Sequence, residues 1–208
     1  MPPAAGPRAR TARLMLATAV RMMQNGVVPS VSDVAAEAGV SRATAYRYFP
    51  SRAALVDAVV GEALGPILEW SSAETSAEAR VTSLLGTSLP RIDAFEATFR
   101  AALKHSLEEW AEERKATPAS EPRFKRGHRM ELLRKALAPL QDRLGPAEID
   151  RLAKALSLIF GIEALVVLKD IWRADAAEAQ DVALWAGRAL VRAALAEAAS
   201  PDQAGKTR

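Results

Sequence analysis

Within seven consecutive residues, Arg42, Thr44, Tyr46, Arg47 and Tyr48 supply five side chains able to grip a nucleic acid. An arginine fork binds guanine O6 and N7 together, and a threonine or tyrosine hydroxyl donates to a phosphate oxygen. Ala43 adds a methyl group that fits beside a thymine methyl. Such contacts need a short rigid support that enters a groove. The stretch Ser30 to Arg52, SVSDVAAEAGVSRATAYRYFPSR, supplies one. Ser30 and Asp33 make a capping-box pattern, and Val34, Ala35 and Ala38 follow as one apolar face at helical spacing. Gly39 stops that helix, because glycine tolerates the left-handed conformation of a sharp turn. Val40 lies in the turn as an apolar pin. Ser41 caps a second helix running to about Phe49, Pro50 ends it, and Ser51 caps the next element. Helix, glycine turn and second helix form the helix-turn-helix signature, whose second helix enters a DNA major groove. A plain helical hairpin accounts for the turn but not for the polar residues along the second helix.

The segment from about Leu14 to Val60 closely resembles the DNA-binding domain of the tetracycline-repressor (TetR) family of bacterial transcriptional regulators. The matching residues are Leu14, Met15, Ala17, Gly26, Val34, Ala35, Ala38, Gly39, Val40, Ser41, Tyr46, Tyr48, Phe49, Ser51, Arg52 and Leu55. Three positions depart from the pattern: Met22 replaces a frequent phenylalanine, Val27 a frequent aromatic, and Arg52 the usual lysine. None removes a feature that DNA binding needs. The resemblance implies an all-α fold, with an N-terminal three-helix helix-turn-helix domain followed by a helical ligand-binding and dimerisation domain. It implies a homodimer on a roughly palindromic operator. Arg42 is then the base contact and Ala43 the thymine neighbour, while Ser32, Thr44, Tyr46, Tyr48 and Arg52 grip phosphates. Ser41 and Arg47 complete the DNA-facing set.

Composition agrees with that class. The 208 residues suffice for one or two domains with a core, and 50% of them are hydrophobic. Alanine and leucine abound and β-branched runs are scarce, which favours helix. The absence of cysteine excludes disulfides and thiolate chemistry and fits a cytoplasmic protein. Residues 1–60 hold seven arginines against three acids, whereas residues 61–208 hold 21 basic and 22 acidic residues. The positive excess therefore coincides with the helix-turn-helix, where counterion release from DNA favours binding. Leu14 to Val20 behind Arg8, Arg10 and Arg13 mimics a signal peptide weakly, but Arg21 breaks it and no clean cleavage site follows. The longest apolar stretch, Ala155 to Leu168, is too short to span a bilayer, so no membrane partner is expected.

The expected organisation is a disordered arm over 1–8, a DNA-binding domain over 9–60, a ligand-binding and dimerisation domain over 61–200, and a disordered tail over 201–208. The arm's arginines fit a backbone or minor-groove contact and a solvated tail equally well. The first helix runs to about Asn25, with Leu14, Ala17, Val20 and Met22 among the residues covering the helix-turn-helix pair. The fourth helix starts near Arg52 and heads towards Trp70, with a kink or break at Gly65-Pro66 that suits a hinge or a simple helix end. Further helices are expected over Ala77–Leu89, Ile92–Lys115, Arg126–Leu140, Ala147–Trp172 and Ala177–Ala199, with a polar loop from Thr117 to Pro122.

A small hydrophobic or amphipathic effector would meet Phe95, Phe99, Leu103 and Trp110 on one long helix, with Leu133 and Phe160 opposite. Aromatics at this spacing equally build an ordinary core. Following the resemblance, the last two helices form the dimer interface through Ile162, Leu165, Val166, Ala186, Leu190 and Ala193; the same faces could serve the monomer core. Glu163 interrupts an apolar run and needs a partner, for which Arg188 or Arg192 across an interface is expected. His105 and His128 lie beside charged residues and read as surface groups. No nucleophile elbow, glycine-rich phosphate loop or His-Glu-x-x-His pattern is present, so no enzyme, metal or cofactor is expected. The sequence reads as a ligand-responsive repressor, with an activator of the same fold or a helical protein-binding adaptor as alternatives.

Overall fold

Two glycines at positive φ close the first two helices of the chain, Gly26 at +76° and Gly39 at +65°. The computed structural model describes residues 6–114 and 127–200, and their regular structure is helical throughout. The first four helices are α1 (Pro7–Gln24), α2 (Val31–Glu37), α3 (Arg42–Tyr48) and α4 (Arg52–Leu64). At the end of α1, Val27 N–H reaches the Met22 carbonyl and Gly26 N–H the Met23 carbonyl. At the end of α2, Val40 reaches Ala35 and Gly39 reaches Ala36. Both are Schellman closures, possible because glycine at the left-handed position carries no Cβ. Serine caps open α2, α3 and α4: the hydroxyls of Ser30, Ser41 and Ser51 accept from the backbone N–H groups of Asp33, Thr44 and Ala54.

The remaining helices are α5 (Ala77–Ala94), α6 (Glu96–Glu113), α7 (His128–Leu137), α8 (Pro146–Ser157), α9 (Ile162–Leu165) and α10 (Ala176–Ala199). The chain divides into two compact units. The first joins Met1–Gly65 with Phe95–Lys125 and so contains α1 to α4 and α6. The second joins Pro66–Ala94 with Arg126–Arg208 and contains α5 and α7 to α10.

In the first unit, Met15, Ala19 and Met23 of α1 are fully buried with Val34, Ala35, Ala45, Leu55, Val56 and Val59. The sequence reading chose the neighbouring stripe, but Leu14 is 51% exposed and Ala17 is exposed too. Both stripes have helical spacing, and only the packing partners α2, α4 and α6 select between them. α1 begins at Pro7, which places Arg8, Arg10 and Arg13 on a helix instead of in an arm. Proline is well suited to a helix start. The rest of the expected arm (1–5), the tail (201–208) and the loop Thr117 to Pro122 lie outside the described residues.

Helix α4 does break where Gly65-Pro66 said it would. It stops at Leu64, and a 3-10 turn, Gly65–Glu69, follows. In the second unit, α10 lies along α5, and at Gly187 a Cβ would meet Leu85 Cδ1 at 2.8 Å, so glycine permits the close approach there. Two sequence expectations are corrected. α5 continues through Pro90 to Ala94 instead of ending at Leu89, because the proline ring is exposed and only one backbone hydrogen bond is forgone. The single helix expected over Ala147–Trp172 is broken: α8 ends at Ser157, Gly161 takes φ +135°, and a π-helical stretch, Val166–Ile171, follows α9. Arg129 occupies the space a side chain at Gly161 would need, and its guanidinium pairs with Glu163. Glu163 is thus satisfied within its own unit, not by Arg188 or Arg192; Arg192 pairs with Glu78 instead.

Candidate nucleic-acid interface

The face that α3 offers to solvent follows from what it buries. Ala45 is fully buried and Phe49, at its C-cap, is 9% exposed, which anchors one side of the helix on the first-unit core. The opposite side then presents Arg42, Ala43, Tyr46 and Arg47, all exposed, at positions i, i+1, i+4 and i+5. These are four of the residues expected at DNA, and the fold brings them onto one surface. Thr44 and Tyr48 flank it, half-buried.

Local bonds stiffen this surface. The hydroxyls of Ser41 and Thr44 are 2.9 Å apart, so one proton joins them and the other is left for an outside acceptor. Arg47 lies over the Tyr48 ring, 5.6 Å from its centroid, which restricts both side chains. Ser32, in the first turn of α2, is half-buried. Asp33 is held by Ser30: it accepts the Ser30 backbone N–H at 2.8 Å, and hydrogen bonding to Ser30, through its side chain first and its backbone second, keeps the carboxyl below the ordinary value of 3.8. Glu37 pairs with Arg21 at 2.8 Å on the surface.

Arg52 stands apart from the others. Its Nη2 donates to the carbonyl of Val28 at 2.7 Å, and Nη1 lies 3.8 Å from Glu108 of α6. The fork is engaged inside the first unit, where it ties the start of α4 to the segment that leads into α2. Sequence reading assigned it to phosphate and could not see Val28 or Glu108 as partners, because both are distant along the chain.

Residues 16–59 match the family model for bacterial regulatory proteins of the tetR family. That segment is similar to the DNA-binding head of TetR-family regulators. The chain shares its overall fold with the crystal structure of a tetR-family transcriptional regulator from Streptomyces coelicolor, with a TM-score of 0.57, 20% identity, and 90% of this chain and 89% of that one covered. A search of curated proteins gives no significant match. The family match covers the helix-turn-helix and its supporting helices, and so includes the exposed face of α3.

The expected effector residues fall in two places. Phe95, Phe99, Leu103 and Trp110 belong to the first unit; Phe99 is buried, Phe95 and Leu103 are half-buried, and Trp110 is 55% exposed. Leu133 and Phe160 are buried in the core of the second unit. Of the expected dimer residues, Ile162 and Leu165 are buried within their own unit, Val166, Ala186 and Leu190 are half-buried, and Ala193 is exposed. The apolar residues that the second unit leaves most open are others: Leu158, Ile171, Trp172 and Trp185, each at least 65% exposed. Exposed tryptophans in a helical unit were the available signal, and small-residue spacing obscured it. Among the described residues, no helix is long and apolar enough to cross a membrane.

Proposed function

We propose that the chain is a ligand-responsive repressor of the TetR family that binds a palindromic operator as a homodimer. The observation that carries the reading is the single exposed face of α3, with Arg42, Ala43, Tyr46 and Arg47 side by side on a capped, anchored helix. Arg42 reads a guanine and Ala43 meets a thymine methyl, while Ser32, Thr44, Tyr46 and Tyr48 hold phosphates and fix the register. Arg52 supports them by positioning the start of α4, and Ser41 by capping α3.

Dimerisation is supported by the open apolar side chains of the second unit. Leu158, Ile171, Trp172 and Trp185 are each at least 65% exposed, and large apolar side chains left this open suit a covered interface. A C2 pair would present two α3 helices, and so two half-sites about one helical turn apart. An effector of low polarity, held among Phe99, Leu133 and Phe160 or their neighbours, would act by preferring a conformation in which the heads are mis-spaced. The reading places the chain in the cytoplasm, as a regulator and not an enzyme.

Selection of bound sequences from a random duplex library at near-physiological salt tests this. Enrichment of a palindrome with half-sites one turn apart supports the dimeric regulator and supplies a probe for effectors. Binding without enrichment, lost as salt rises, sinks sequence-specific recognition and leaves a non-specific basic surface.

A further inference from the structure

His105 is one of only two histidines, and the chain has no cysteine. Few other groups here change charge between about pH 5 and 8. His105 sits midway along α6 at 5% exposure, on the buried face that also carries Thr98, Ala101 and Ala102. In the first unit, α6 packs against α1 and α4. Among the described residues neither ring nitrogen finds a hydrogen-bond partner; Nε2 lies 3.4 Å from Glu109 Oε1. A ring enclosed without hydrogen bonds is unfavourable when neutral, and a charge on it adds a desolvation cost that the neighbouring Glu109 offsets only in part.

The surrounding charges oppose one another. Glu109, Glu108 and Glu112 of α6 favour a proton on His105, and Arg52 at the start of α4 disfavours one. The other titratable side chains of α4 are Asp57 and Glu62, and those of α1 are all arginines, Arg8, Arg10, Arg13 and Arg21. Burial dominates and holds His105 below its ordinary value of 6.5. A group held down in this way supports the closed packing in full above 6.5, and that support is lost as pH falls from there through the depressed folded value.

We propose that His105 is a proton-sensitive joint in the first unit: uncharged it lets α6 close on α1 and α4, and on gaining a proton it forces that packing open and weakens DNA binding. Opening of α6 withdraws Glu108 from Arg52, and Arg52 holds the Val28 carbonyl just ahead of the Ser30 cap of α2. The protein half of the proposal stands on these contacts alone, and its effect on affinity rests on the DNA-binding reading.

The test uses the full chain with His105→Gln and His128→Gln variants. Thermal unfolding and the anisotropy of a library-selected duplex are followed from about pH 7.5 to about pH 5.5. The wild type and His128→Gln should lose thermal stability and bind several-fold more weakly on acidification, while His105→Gln should stay nearly flat in both. An equally steep fall in His105→Gln overturns the proposal. Should that variant fail to fold, proton NMR of the wild-type histidines decides, with His128→Gln giving the assignment: a His105 midpoint at or above 6.5 overturns the joint. A stability loss confined to proteins that retain His105, with no duplex bound at any pH, would support the joint and remove the DNA-binding reading instead.

Discussion

Arg52 and Val28 are joined across 24 residues by a hydrogen bond of 2.7 Å from the guanidinium Nη2 to the backbone carbonyl. One side chain thereby fixes the start of α4 against the approach to α2. Arg52→Ala should destabilise the first unit by ~1–3 kcal/mol, since the Val28 carbonyl is left without its partner. Chemical denaturation would measure this, with DNA affinity falling evenly across sequences. A loss of sequence preference without a loss of stability would place Arg52 at a base instead. Arg52→Lys should fall between, because an ammonium cannot reach two acceptors in the geometry of a fork.

Ser30 and Asp33 cap α2 reciprocally, with bonds of 2.8 and 3.1 Å. Ser30→Ala should lower stability by about 1 kcal/mol. Asp33 is held below 3.8, chiefly by Ser30, so it stabilises α2 above that pH and the effect disappears as pH falls through the lower folded value. Acid unfolding of Asp33→Asn should therefore begin from a less stable state and show a shallower slope than the wild type at low pH. Parallel curves would mean that the carboxylate contributes nothing to the cap.

Arg42→Ala should relax sequence preference at one base pair by ~1–3 kcal/mol, whereas Tyr46→Phe should weaken all sequences alike. Repeating the library selection with each variant separates the two. An unchanged preferred sequence after Arg42→Ala would remove Arg42 from the base-contact role.

Trp185 is 65% exposed and Leu165 is 2% exposed. Trp185→Glu should shift the chain to monomer in sedimentation while its thermal unfolding changes little. Leu165→Ala should do the reverse, with ~2–5 kcal/mol lost from the fold. A dimer that survives Trp185→Glu intact would show that this face is not the interface.

The helix-turn-helix was legible in the sequence because its signals are local. Ser30, Gly39, Ser41 and Ser51 each act within four residues of their own position, through caps and a left-handed turn, and each does in the fold what its type and place implied. The polar run from Arg42 to Tyr48 was legible for the same reason, since one helical turn sets which side chains share a face.

Tertiary structure alone decided the rest. Leu14 and Met15 are equally apolar neighbours, and only the packing of α1 on α2, α4 and α6 buries Met15 and leaves Leu14 open. Glu163 needed a cation, and its own chain offered many; the turn at Gly161 brings Arg129 to it. His105 has charged neighbours along the helix, yet it faces inward, because burial depends on which side of α6 meets α1 and α4. Local backbone chemistry is written residue by residue, whereas burial and pairing depend on groups far apart in the chain. The sequence by itself therefore determined the polar helix α3 and its caps, and the fold determined what supports them.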